Sequence, residues 1–146
     1  MLDRNAIAEL IPHSGAMCLL DEVTGWDAMN IRCVSRTHRE PENPLRNGTR
    51  VPVLCGIEYA AQAMAVHGGL SGAVAERPRA GYLVSVREIA CRSEWLDEAE
   101  GDLVVLAQQV VGEAQNAMYT FAVSCGSREI LTGRATVVLD AAPEHP

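Results

Sequence analysis

The chain contains no lysine, because all twelve of its basic residues are arginines. This absence excludes chemistry that needs a primary amine side chain: Schiff-base catalysis, attachment of pyridoxal phosphate and phosphate binding by a Walker lysine. Apolar runs are also short, and none reaches the roughly 18–20 residues of a membrane-spanning helix. The first residues do not form a charged segment followed by an apolar core. The sequence therefore predicts neither a signal peptide nor membrane insertion.

Paired cysteines are absent as well. The five cysteines are odd in number and widely spread, and none belongs to a C-x-x-C pair: Cys18, Cys33, Cys55, Cys91 and Cys125. We therefore predict reduced, mostly buried thiols in a cytoplasmic protein, with no disulfide framework and no metal site. No pattern in the chain points to a cofactor.

The chain also lacks an excess of positive charge. The net charge is −7, which argues against general nucleic-acid binding, because that binding needs a basic face to displace counterions. Arginines nevertheless gather in one stretch: Arg32, Arg36, Arg39, Arg46 and Arg50. They form either an ordinary solvated surface or a local dock for a phosphate or an acidic carrier protein, since arginine suits both ligands.

What is present is the composition of one globular domain. The 146 residues are 48% hydrophobic and 21% charged, and they include no repeat, low-complexity segment or linker. We expect a single domain over residues 1–146, with a frayed tail at about 141–146.

The most informative stretch follows Pro52 and runs over residues 53–69. It is almost entirely small or apolar and predicts a helix of about four turns, which we expect to be buried on every side. Glu58 lies in its first turn, and Gln62 follows one turn later on the same face. A carboxylate in a buried helix is costly unless it is paired or used, so Glu58 is the leading functional candidate.

The remaining segments predict an α+β architecture, with one long central helix wrapped by an antiparallel sheet. Edges of such a sheet need cover, so we also expect a dimer that joins sheet edges. The predicted elements are a short helix at 5–10, strands at 17–23 and 30–35 with a turn at 25–27 between them, and after the central helix a meander of strands at 82–89, 103–111, 118–125 and 130–139.

Three motifs carry a family resemblance. They are Leu-Ile-Pro-His at 10–13, the apolar segment Met-Cys-Leu-Leu-Asp-Glu-Val at 17–23, and Gly-Ile-Glu-Tyr-Ala-Ala-Gln-Ala at 56–63. With the spacing of the later strands, they make nearly the whole chain resemble the hotdog-fold 3-hydroxyacyl-acyl-carrier-protein dehydratases. The most similar branch is that of the predicted dehydratases of aryl-polyene-type lipid pathways. The resemblance implies a hotdog fold and elimination of water from a 3-hydroxyacyl thioester, which gives the trans-2-enoyl thioester.

The resemblance also implies roles for particular residues. Glu58 would hold the β-hydroxyl or donate its proton, and the helix N-terminus would stabilise charge on the thioester oxygen. Gly56 would allow that oxygen to approach closely, and Gln62 and Cys55 complete the predicted substrate-binding positions. Gln62 would either bond within the site or brace the preceding loop, or it is simply a satisfied core amide. Two core residues, Tyr59 and Met64, are expected to serve packing.

The catalytic base is left open between two histidines. The family's Gly-His-Phe-Pro-Gly motif is missing, and Asn-Pro-Leu-Arg occupies its place at 43–46. His13 is narrowly favoured as the base, and His38 is the runner-up. His67 is half a turn out of phase with Glu58 on the helix, and His145 lies in the tail.

Two other functions remain open. A hotdog acyl thioesterase would use Glu58 to activate water, and a non-catalytic hotdog subunit would pair with an active dehydratase. The expected partners are an acyl carrier protein or coenzyme A thioester and a second hotdog subunit, in a homodimer or heterodimer.

Overall fold

One long helix and one antiparallel sheet dominate the computed structural model, which describes residues 1–11, 15–71, 81–112 and 116–139. All paired strands are antiparallel, in the order β1-β2-β3-β5-β6-β7-β4. The predicted α+β class with a single long helix is confirmed. The helices are α1 (Arg4–Leu10) and α2 (Gly56–Ser71), and the strands are β1 (Leu2–Asp3), β2 (Glu22–Trp26), β3 (Asn30–Ser35), β4 (Gly81–Cys91), β5 (Leu103–Gly112), β6 (Asn116–Cys125) and β7 (Arg128–Leu139).

The core lies between α2 and the inner face of the sheet. In β6, Tyr119, Phe121 and Val123 are buried, whereas the residues between them are partly exposed, as the alternation in the sequence predicts. From α2, Tyr59 and Met64 enter the same core. Full burial of such side chains stabilises the fold by about 1.5–3 kcal/mol each.

The order of the strands differs from a simple meander. Strands β5, β6 and β7 follow one another as expected, but β4 lies beyond β7 at the far edge of the sheet. Between β3 and β4 the chain passes through α2, which carries it from one part of the sheet to the other. The two edges are therefore the two-residue β1 and the eleven-residue β4.

Two local predictions near the N-terminus were wrong. The strand expected at 17–23 begins only at Glu22, because a glutamine side chain of α2 bonds to the backbone of the segment before it. The turn expected at 25–27 comes later, because Gly25 and Trp26 still pair with β3. Asp27 makes the actual turn, and its side chain accepts the N–H groups of Met29 and Asn30.

All five cysteines are free thiols, of which Cys18 and Cys33 are buried and Cys91 is exposed. Burial raises the pKa of the Cys33 thiol to about 12. In the four described ranges, no helix combines the length and the apolar character needed to cross a bilayer.

Gly133 of β7 provides a test of the packing of the sheet. A Cβ at this position would collide with Cδ1 of Ile89 and lie 2.8 Å from Cζ of Phe121. We expect Gly133→Ala to lower the free energy of unfolding by about 1–3 kcal/mol through overpacking, as measured by urea denaturation. In an Ile89→Ala background the same change should cost less, and equal costs in both backgrounds would contradict this account.

Candidate functional site

The N-terminal end of α2 is anchored before the helix begins. Residues Val53–Cys55 form a 3₁₀ turn, in which Val53 N–H donates to Glu94 O at 3.0 Å and Cys55 N–H donates to Pro52 O at 3.0 Å. The N–H of Gly56 donates back to the carbonyls of this turn. Of the amide donors that the N-terminus of α2 would offer to a ligand, the turn therefore already uses that of Gly56.

Gly56 is also a packing position. A Cβ on Gly56 would lie 2.8 Å from Cδ2 of Leu131 in β7 and 3.7 Å from Cδ1 of Leu96. The absence of a side chain thus allows the helix to approach the sheet closely. Direct contact between Gly56 and a substrate stays a prediction.

Glu58 lies on an exposed side of α2, which the described residues leave uncovered. The expectation that α2 is buried all round was wrong here, because Glu58 and Leu54 are exposed, the latter at 55%. Ala61 and Ala65, one and two turns after them, are half-buried. Among the described residues, none makes a hydrogen bond or ion pair with the Glu58 carboxylate.

The inner side of β4 continues this uncovered surface. Leu83 pairs with the buried Val137, and Val86 pairs with the buried Ala135, so both side chains point to the same side of the sheet as α2. Both are nevertheless exposed, although α2 contacts β4. We call this apolar surface the open face; it consists of Leu54, Glu58, Ala61, Ala65, Leu83 and Val86.

Gln62 lies on the buried side of α2, one turn after Glu58. Its Oε1 accepts the N–H of Leu19 at 2.9 Å, and its Nε2 donates to the carbonyl of Met17 at 2.8 Å. Of the roles left open by the sequence, these two bonds correspond to bracing the loop that precedes β2. The braced segment begins four residues after His13.

Tyr59 belongs to a buried polar network that sequence reasoning missed. Asn43 Nδ2 donates to Tyr59 OH at 2.9 Å, Tyr59 OH lies 2.8 Å from Oγ1 of Thr37, and that hydroxyl donates to Leu19 O at 2.8 Å. Since Thr37 gives its only proton to the carbonyl, Tyr59 donates to Thr37. The network holds the loop at residues 43–46, which replaces the missing histidine motif, against α2.

His38 lies inside the fold and is fully buried. Its Nε2 donates to Ala99 O at 2.9 Å, which leaves the unprotonated Nδ1 with no hydrogen-bond partner among the described residues. Burial lowers the pKa of His38, so the neutral imidazole is favoured. Within the described ranges no hydrogen bond joins it to Glu58.

His67 makes a separate set of contacts near the far end of α2. Its Nε2 donates to the carbonyl of Asp27 at 2.9 Å, and its Nδ1 therefore accepts from Tyr119 OH at 2.6 Å. Burial raises the pKa of Tyr119 to about 12. This pair connects α2 to β6 and to the turn between β2 and β3, at a distance of more than two helical turns from Glu58.

The remaining sequence candidates divide between two groups. His13 and His145 lie outside the described residues. Cys55 is half-buried, with Sγ 3.9 Å from Leu45 O, and burial together with the nearby Glu58 charge raises the pKa of its thiol. A thiol with a raised pKa is a weak nucleophile at neutral pH.

No cluster with metal-ligand character occurs in the part of the chain that the structure describes.

The arginine stretch is largely occupied by contacts within the chain. Arg36 lies 3.7 Å from Glu22 and 3.4 Å from Asp102, and Arg50 bonds to Asp97 at 3.0 Å while its guanidinium lies 4.6 Å from the ring centre of Trp95. The other members contact backbone carbonyls or a hydroxyl: Arg32 contacts Thr24, Arg39 contacts Glu100 and Arg46 contacts Glu40 and Thr49. The stretch therefore stabilises loops, and a role in docking an acidic partner stays a prediction.

Comparison with known proteins decides the family. A family model described as "ApeP dehydratase" matches residues 5–145. The chain belongs to the ApeP-like dehydratase family. The predicted relation to aryl-polyene-type dehydratases is thereby confirmed.

Solved structures agree with a hotdog fold. The dehydratase heterocomplex ApeI:P from Xenorhabdus doucetiae matches with a TM-score of 0.82 at 21% identity, covering 93% of this chain and 91% of that one. The PaaI protein of E. coli matches at 0.63 with 13% identity, covering 92% and 88%. A hypothetical thioesterase with coenzyme A from Streptococcus pneumoniae matches at 0.61 with 10% identity, covering 84% and 88%. No curated protein sequence matches this chain.

The tyrosine network can be tested by removing one oxygen. Tyr59→Phe should lower the free energy of unfolding by about 1–3 kcal/mol, because it leaves one of the two side-chain N–H groups of the buried Asn43 without an acceptor, while the other still donates to Thr37 O. Urea denaturation measures this cost. In an Asn43→Ala background the cost should shrink, and strict additivity would show that the two side chains are not coupled.

The burial of His38 predicts that the fold loses stability in acid. Because burial lowers its pKa below the unfolded value of about 6.5, the unfolded chain binds more protons just below that pH. The contribution of His38 to the free energy of unfolding is fully present above pH of about 6.5. It is lost as the pH falls below that value, with a slope of up to about 1.4 kcal/mol per pH unit. His38→Gln keeps a donor for Ala99 O and should remove this component from urea-denaturation curves. An unchanged pH dependence in that variant would rule out His38 as its source.

Proposed function

We propose that the chain takes part in the dehydration of a 3-hydroxyacyl thioester in aryl-polyene biosynthesis, as one subunit of a hotdog assembly. Membership of the dehydratase family supports the reaction class. The observation that carries the proposal is the position of Glu58, which is exposed in the first turn of α2 on the apolar open face. This arrangement suits a substrate with a long apolar chain and a polar head at the carboxylate.

The reaction requires a base near the α-carbon and an acid near the β-hydroxyl. The base removes the α-proton, a double bond forms between the α and β carbons, and the β-hydroxyl receives a proton and leaves as water. We assign Glu58 to hold or protonate the hydroxyl and His13 to act as the base, with His38 as the runner-up. Gly56, Gln62 and Cys55 are proposed to line the substrate side.

The choice of His13 is supported by the bracing of the loop that follows it. Gln62 fixes the backbone of Met17 and Leu19 with two bonds, and such fixed backbone is what a catalytic group nearby in the chain needs. His38, in contrast, is fully buried, whereas Glu58 is exposed. A carboxylate and an imidazole with such different exposure do not share a substrate without rearrangement.

A second hotdog subunit is proposed to cover the open face. Exposed Leu54, Leu83 and Val86 form an apolar surface that favours a protein partner, and β4 is a long sheet edge beside it. The similar structure from Xenorhabdus doucetiae is a heterocomplex, which favours a heterodimer over a homodimer. The acyl group is proposed to arrive on an acyl carrier protein or on coenzyme A.

A non-catalytic role within such an assembly is the second candidate function. It is favoured by the missing histidine motif, because the network of Tyr59 and Asn43 fixes the replacement loop in place. In this case Glu58 and the open face would bind the active subunit. A thioesterase is the third candidate, supported by the similar fold of the coenzyme A-bound structure.

Glu58→Gln separates these candidates. We expect the dehydration rate of a 3-hydroxyacyl thioester to fall about 10²–10⁴-fold, because the proton donor is lost. The measurement is enoyl-thioester formation by mass spectrometry, for the purified chain and for the chain co-expressed with a second hotdog subunit of the same gene cluster. The matched control is Glu9→Gln, which makes the same change on an exposed side of α1.

Three outcomes would change the assignment. Full turnover by Glu58→Gln in the complex, with no turnover by the chain alone, would support the non-catalytic role. Release of free thiol without enoyl product would support a thioesterase. Lost activity in His38→Gln together with retained activity in His13→Ala would reverse the choice of base.

A further inference from the structure

A short strap between β4 and β5 lies against the chain that leads into α2. The strap consists of residues 94–98 and ends in a 3₁₀ turn at Leu96–Glu98. Three contacts join it to residues 51–53: Val53 N–H donates to Glu94 O at 3.0 Å, Leu96 N–H donates to Val51 O at 2.7 Å, and Pro52 forms an antiparallel bridge with Trp95. The strap therefore holds the backbone at the start of the 3₁₀ turn that precedes α2.

Asp97 adds a side-chain contact to this backbone pairing. Its Oδ1 accepts the N–H of Val51 at 2.8 Å, and its Oδ2 accepts Nε of Arg50 at 3.0 Å. The guanidinium of Arg50 in turn lies 4.6 Å from the ring centre of Trp95 in the strap. Burial acts to raise the pKa of Asp97, but the bonds from Val51 and Arg50 outweigh it, and the pKa lies below its ordinary value. Asp97 is therefore a charged acceptor at neutral pH, with both carboxylate oxygens bonded to the chain before α2.

The strap also packs beside the first residue of α2. Leu96, which precedes Asp97, is fully buried, and its Cδ1 lies 3.7 Å from where a Cβ on Gly56 would be. Glu58 follows Gly56 by two residues in the same helical turn. Among the described residues, nothing bonds to the Glu58 carboxylate, so its position depends on the backbone that carries it. The strap is thus the element that contacts this backbone both before the helix and at its first residue.

We propose that Asp97 is a positioning residue for Glu58: it fixes the chain before α2 and thereby the place of the Glu58 carboxylate beside the substrate. The inference rests on the proposed dehydration, in which Glu58 holds or protonates the β-hydroxyl. Asp97 acts through the backbone of Val51 and does not itself contact the substrate. A small displacement of a proton donor lowers the rate of the chemical step, whereas an acyl chain on an apolar surface still binds. The loss is therefore expected in kcat and not in KM.

A double-mutant cycle with Glu58 tests the proposal, in the chain co-expressed with a second hotdog subunit of the same gene cluster. Asp97→Ala should lower kcat for a 3-hydroxyacyl thioester about tenfold and change KM by less than about twofold. In a Glu58→Gln background, the same change should alter kcat by less than about twofold, because the proton donor that it displaces is already gone. Asp97→Asn keeps an acceptor for the N–H of Val51 and should lower kcat only about threefold.

Hydrogen exchange of the full chain gives a second measurement, which does not depend on activity. Asp97→Ala should speed the exchange of amide protons at residues 51–58 about tenfold, because the chain before α2 opens locally more often. Asp27→Ala is the matched control, since Asp27 also accepts two backbone N–H groups, in the turn between β2 and β3. It should leave both kcat and the exchange at residues 51–58 unchanged.

Equal losses of kcat in the two backgrounds would show a general effect on the fold and would overturn the proposal, as would unchanged exchange at residues 51–58. A rate that falls in Glu58→Gln but not in Asp97→Ala would overturn this inference alone. Full turnover by Glu58→Gln, or no turnover by the wild-type complex, would overturn the proposed catalytic role of Glu58 together with it. Thermal unfolding checks that each variant is folded, and Asp97→Asn decides the question where Asp97→Ala does not fold.

Discussion

The close packing of α2 against a single curved sheet is the constraint on which the rest of the molecule depends. A helix this rich in alanine and glycine brings its backbone near the strands, and at Gly56 no space is left for even a methyl group beside Leu131. That proximity fixes the direction of the first turn of the helix. It therefore also fixes which side chains turn inward and which, like Glu58, remain at the surface.

Polar side chains on the inward side of α2 hold two loops against the helix. Gln62 and Tyr59 satisfy backbone and hydroxyl groups in two loops that have no regular hydrogen-bonding pattern of their own. In a low-dielectric interior such bonds are costly to leave incomplete, so the loops have one preferred arrangement against the helix. The loop at residues 43–46 is thus well defined, and Arg50 after it adds contacts with Asp97 and Glu98.

The sequence was sufficient for the fold class, the central helix and most strands, because these follow from periodicity and from the position of glycine and proline. It failed at residues 17–21, where an apolar run reads as a strand but its backbone bonds to a side chain from 43 residues further along. It also placed β4 within a meander, since the far-edge position depends on how the helix crosses the sheet. No local pattern contains that information.

The site was predicted less completely than the fold. Glu58 could be singled out from the sequence because it is the one carboxylate in an apolar helix. Its exposure could not be predicted, because it depends on how far the sheet curls around the helix. The network around Tyr59 joins residues from four separate segments. In the sequence its members look like isolated core or loop residues. The one feature that could have indicated a buried polar network is the group of small polar residues between 35 and 43.

The contact between His67 and the carbonyl of Asp27 has a consequence for local opening. The tip of a β-hairpin normally exchanges its amide protons quickly, because it opens without the rest of the domain. Here the end of α2 bonds to the residue whose side chain accepts the N–H groups of Met29 and Asn30. Those two amides therefore belong to the same cooperative unit as the last turns of the helix, and solvent hydrogen exchange at the hairpin tip reports on the docking of α2.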